Sequence, residues 1–87
     1  MIFVRPRKEL GNKNCVGATI TQLRKERGWK QHELLARMQL RGIDIGKSSL
    51  SDLEGQNREI RSNELLALAE IFGVSIDQLY HQGPVQE

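Results

Sequence analysis

One cysteine, Cys15, stands among 87 residues, so no internal disulfide can staple the chain. With only His32 and His81 besides, no metal-ligand spacing is legible, and neither a metal nor a cofactor is expected. Neither histidine has a candidate nucleophile to serve, which argues against an enzyme. Near the N-terminus the longest apolar run is Ile2, Phe3 and Val4, too short for a signal-peptide core or a membrane span. A cytoplasmic protein is expected. No internal repeat is visible, and no strand signal beyond residues 2–4. Cys15 is expected to be a small buried hydrophobe, as free cysteines usually are. The lone Trp29 fits a core role better than base stacking.

The length allows one domain with one modest core. Net charge is only +2, but it is unevenly spread. Residues 1–47 hold eleven Lys/Arg and four Asp/Glu, a balance of +7, and residues 48–87 hold two and seven, a balance of −5. A basic front half suits a polyanionic partner, although charge alone fits a merely solvated surface equally well.

Residues 1–14 read as a flexible basic arm, with Arg5, Arg7, Lys8 and Lys13 and no sustained period. Asn14 is placed to cap the first helix. Val16, Ile20 and Leu23 recur at helical spacing, and Gly28 ends that helix after Lys25 and Arg27. A second helix is predicted over 31–41 with Leu34, Leu35 and Met38 inward and Gly42 just past its end. A third runs over 47–54 with Leu50 and Leu53 inward. A fourth covers 63–72 with Leu65, Leu66, Leu68, Ala69 and Phe72, and a fifth 76–80. Residues 81–87 form a tail. The pairs Trp29/Leu34, Ile45/Leu50 and Val74/Leu79 flank three helix starts as hydrophobic staples, and Ser75 and Gln78 occupy capping-box positions. Helices this short are not stable alone, so an all-α bundle with short connections is expected.

Four stretches together carry a resemblance: ITQLRKERGW at 20–29, KQHELLA at 30–36, SSLSDLEG at 48–55 and LLALAEIFGVSIDQL at 65–79. In this order and register, the chain resembles the lambda-repressor/Cro-like helix-turn-helix proteins, also called the xenobiotic-response-element family, from Gly17 to Tyr80. The resemblance implies a five-helix lambda-repressor-like DNA-binding domain over 15–80. It also implies a transcriptional regulator, a repressor, bound as a homodimer to a pseudo-palindromic operator in double-stranded DNA. Leu35 stands where the family favours a small residue, and the turn after the second helix is longer than the commonest form.

The family's pattern assigns base contacts to Lys47, Ser48 and Asp52. Lysine can donate to guanine O6 and N7, serine can meet several base edges, and aspartate can accept from cytosine N4. Backbone-phosphate contacts fall on Lys30, Gln31, Ser49, Ser51, Arg58 and Arg61. Gln31 opens a helix, where free N–H groups and the helix dipole favour an anion. Lys30 replaces the usual Ser, Thr or Asn cap, at roughly 1 kcal/mol. Arg24 and Glu54 match a structural ion pair in which a guanidinium fork holds a carboxylate. The rival reading is an antitoxin-like or other protein-interaction module for which DNA binding is secondary.

Overall fold

The computed structural model describes residues 10–81, the last by its backbone alone. The described residues form five helices and no strand: α1 (Gly17–Glu26), α2 (Gln31–Leu40), α3 (Lys47–Glu54), α4 (Ser62–Phe72) and α5 (Ile76–His81). Each lies within a residue or two of the expected span, and the architecture is the all-helical one expected. Helix α1 packs on α3 and α5, α2 packs on α3 and α4, and α4 packs on α5.

Helices α1 to α4 all end by one device. The chain turns left-handed two residues past the last residue of α1, α2 and α3 and one past that of α4, and the N–H groups of the left-handed residue and of the next one bond back to the last turn. Gly28, Gly42 and Gly73 take the left-handed position after α1, α2 and α4, at φ 73°, 85° and 68°. After α2, the Gly42 N–H donates to Gln39 O at 2.9 Å and the Ile43 N–H to Met38 O at 3.1 Å. Glycine suits this position because an L side chain there crowds its own carbonyl, at about 1–2 kcal/mol. After α3 the position falls to Gln56, at φ 61°. Its strain is offset by its own side chain, which accepts the Ala18 N–H at 3.1 Å and donates to Gly11 O at 3.1 Å.

This device explains the connection lengths. Trp29 and Val74 each follow the glycine and also precede the next helix's cap, so one apolar residue closes one helix and staples the next. In the α2–α3 turn the two duties are split. Ile43 closes α2 and Ile45 staples α3, both buried, with Asp44 exposed between them. The extra turn length is therefore held in place, and Gln39 Nε2 adds a bond to Ile45 O at 3.1 Å.

The core runs through all five helices. Val16, Ile20, Leu34, Met38, Leu50, Leu53, Leu68 and Leu79 are essentially sealed from solvent. Trp29 is half-buried and stacks on Phe72, ring centroids 5.6 Å apart, while the Arg37 guanidinium lies 3.9 Å from the indole centroid. Leu35 packs part-buried against the core. Leu66 is 54% exposed, because Leu65, Leu68, Ala69 and Phe72 already fill the inner arc of α4.

Two expectations about the N-terminal segment need correction. Cys15 is exposed rather than buried. Asn14 Oδ1 accepts the N–H groups of Val16 and Gly17 at 2.9 and 2.8 Å, which leaves Cys15 at the outer bend of the cap. Residues 11–14 are also not free arm. The Gly11 N–H donates to Gly55 O at 2.8 Å and the Lys13 N–H to Gln56 O at 2.9 Å. Asn14 Nδ2 donates to Leu53 O and Arg58 O at 3.1 and 2.8 Å. The arm residues Arg5, Arg7 and Lys8, and the tail over 82–87, lie outside the described residues.

Candidate nucleic-acid interface

Helix α3 starts at Gly46, which is extended and supplies no side-chain cap. The first-turn N–H groups of such a helix have no partner within it. Lys47, Ser48, Ser51 and Asp52 are all exposed, and Ser49 is half-buried. The spacings 47/51, 48/51 and 48/52 put the four exposed side chains on one face. The structure brings them together with Gln31 around a single open depression. Among the described residues none of these four side chains has a hydrogen-bond or ion-pair partner, so their donors and acceptors remain free for a ligand.

This face is oriented by a buried polar cluster. Arg24 Nε and Nη2 donate to Glu54 Oε2 and Oε1 at 2.8 and 3.2 Å, and Nη1 donates to Trp29 O at 2.9 Å. Gln31 Nε2 donates to Glu54 Oε1 at 2.9 Å. The Arg24 and Glu54 side chains are only 12% and 5% exposed. One carboxylate at the end of α3 thus ties down α1, the α1–α2 turn and the first residue of α2. Gln31 carries a second amide N–H, left for a ligand at the α2 start. Lys30, extended and exposed, has no side-chain cap to offer, but its own N–H donates to Glu33 Oε1 at 2.7 Å.

A second cluster lies in the loop that follows α3. Arg58 donates from Nε to Ser49 O at 3.1 Å and from Nη1 and Nη2 to Glu64 Oε1 and Oε2, both at 2.9 Å. It also donates from Nη1 to Glu59 O at 2.8 Å. Four of its five N–H donors are therefore spent inside the protein, and Arg58 serves chiefly to hold the α3–α4 loop. Burial alone would raise the Glu64 pKa. The hydrogen bonds from Arg58 and the Arg61 N–H, with the charge of Arg58, outweigh it and hold the carboxyl below 4.5. The Arg61 side chain is exposed at the α4 cap and makes no capping bond. His32 is exposed on α2; the His81 side chain lies outside the described residues.

The sequence reading missed the Arg58–Glu64 fork and the bridging role of Gln56. A local signal existed only for the first, in Glu64 three residues after the α4 cap.

Two short helices joined by a turn, with the second presenting an unpartnered polar face and the first opening beside it, define a helix-turn-helix DNA-binding domain. The chain belongs to the lambda-repressor-like, or xenobiotic-response-element, helix-turn-helix family: the family model described as helix-turn-helix matches residues 20–79. The family is one of DNA-binding transcription regulators and is not typically enzymatic. No curated protein and no solved structure matched the chain. Among the described residues no helix is long and apolar enough to cross a membrane.

Proposed function

We propose that the chain is a sequence-specific transcriptional regulator, a repressor, that places α3 in the major groove of operator DNA. The observation that carries this reading is the open, unpartnered face of Lys47, Ser48, Ser51 and Asp52 beside Gln31. Lys47 reads guanine through O6 and N7, Ser48 a neighbouring base edge, and Asp52 the cytosine N4 amine. Lys30, Gln31, Ser49, Ser51 and Arg61 meet backbone phosphates, which position the helix without specifying sequence. Arg58 contributes its one unspent N–H at most and acts mainly by positioning the loop. The domain spans 15–80 with residues 11–14 docked on it, and it works in the cytoplasm.

The regulator acts as a homodimer on a pseudo-palindrome whose half-sites lie about 10 bp apart, the groove repeat on one face of DNA. Leu66 and Tyr80, exposed on the adjoining helices α4 and α5, offer apolar area for that pairing. Repeated selection from a randomised duplex pool tests the reading. Enrichment of a two-fold-related motif is expected. A pool that stays random under binding conditions would pass the chain to the protein-interaction reading.

A further inference from the structure

The docked segment 11–14 and the α3–α4 loop enclose a second open depression, lined by Lys13, Asn57, Arg58, Glu59, Ile60 and Arg61. We propose that this depression is a phosphodiester grip on duplex DNA in which Lys13, far from α3 in sequence, is a principal donor. The inference rests on the reading that α3 enters the groove.

Three observations converge on it. First, Lys13 is planted. Its own N–H is bonded to Gln56 O, and its neighbours Gly11 and Asn14 are bonded to Gly55 O, Leu53 O and Arg58 O. A fixed backbone lowers the ordering cost of a contact made by its side chain. Second, the charge on offer is positive. Arg58 is neutralised by Glu64 at 2.9 Å, so among the residues lining the depression the exposed cations of Lys13 and Arg61 stand against the one further carboxylate of Glu59, and the exposed Asn57 amide adds an uncharged donor. Third, the placement fits. Gln31 lies beside Lys47, Ser48, Ser51 and Asp52, whereas this depression is lined by Lys13 and by residues 57–61, which follow α3. The two depressions share no residue, so they can meet different phosphates.

The test measures affinity for a mixed-sequence 30-bp duplex against salt, for the wild type, K13A, K13R, R61A and K25A. Each lost phosphate contact should flatten the slope of log affinity against log salt by about 0.9. K13A and R61A should each do so, and K13R should keep the wild-type slope. K25A, which removes an exposed lysine from the last turn of α1, should keep it too. Thermal melts of K13A should match the wild type, because the Lys13 side chain makes no bond among the described residues. A wild-type slope in K13A, or an equal flattening in K25A, would overturn the grip. Should K13A flatten the slope while substitutions on α3 leave sequence preference untouched, base reading fails and the grip stands. Absence of any wild-type binding to the duplex would overturn both.

Discussion

Replacing Arg24 alone should cost this fold more than replacing Arg24 and Glu54 together by apolar residues of similar size. Arg24→Met deletes the two bonds to Glu54 and the one to Trp29 O. Glu54, 5% exposed, is left with the Gln31 amide as its one partner among the described residues. Stranding one partner of a buried pair costs about 3–5 kcal/mol, while joint apolar replacement is often close to neutral. A chain of this size has a total stability of about 4–13 kcal/mol at the usual 0.05–0.15 kcal/mol per residue, so the single change removes a large share. At about 4–8 °C per kcal/mol for a domain of 60–100 residues, the melting point should fall by at least about 12 °C. Thermal and urea unfolding of the wild type, Arg24→Met, Glu54→Leu and the double variant make a complete cycle. The double variant should be far more stable than the sum of the single losses allows. Additive losses would show that the two side chains do not interact, and the orienting role given to Glu54 would fall with them.

Three further changes probe the frame around the site. A Cβ at Gly17 would meet the carbonyl oxygens of Leu53 and Glu54, the latter at 2.6 Å. Gly17→Ala should therefore lower the urea midpoint by about 1–3 kcal/mol of strain, despite alanine's better helix propensity; a raised midpoint would deny this close approach of α1 to α3. Gln56→Ala keeps the left-handed backbone and loses both side-chain bonds, whereas Gln56→Gly loses the bonds but relieves about 1–2 kcal/mol of strain. The glycine variant should thus be the more stable in urea, and equal midpoints would mean that φ 61° carries no strain. Glu64 is held below its ordinary value of 4.5 in the fold, so its ionised form stabilises above that pH, and the contribution is lost as pH falls through the lowered folded value. Urea midpoints between neutral pH and about pH 3 should fall less steeply for Glu64→Gln than for the wild type; parallel curves would remove Glu64 from the acid response.

The helix ends were legible because each is written locally. A glycine that turns left-handed, then an apolar residue, then a cap recur within a few positions, and helical spacing supplies the inner face. Arg24 and Glu54 were legible through the family pattern, 30 positions apart. What escaped the sequence depends on closure between segments with no shared period. Asn14 reaches Arg58 across 44 positions and Gln56 reaches Gly11 across 45. Residues 11–14 look like loose arm because their partners are carbonyl oxygens of the α3–α4 loop, which no side-chain pattern announces. Gln56 has no local mark, since it occupies a position that glycine takes after α1, α2 and α4. Arg58 reads as a free surface cation until Glu64 is known to lie beneath it.

The central claim is that α3 reads bases, and its most direct test is the Asp52→Asn variant on a panel of single-base changes in a duplex selected by the wild type. Asp52 is exposed, its carboxylate has no partner among the described residues, and Arg58 is committed to Glu64, so folding should be untouched. Asparagine reads adenine through N6 and N7 where aspartate accepts from cytosine N4, with about 1–3 kcal/mol of discrimination at stake. The preferred base should change at one position per half-site, and Lys47→Ala should relax preference at a neighbouring one. If both variants keep the wild-type ranking of sequences and merely bind all of them more or less tightly, helix α3 does not read bases in this protein.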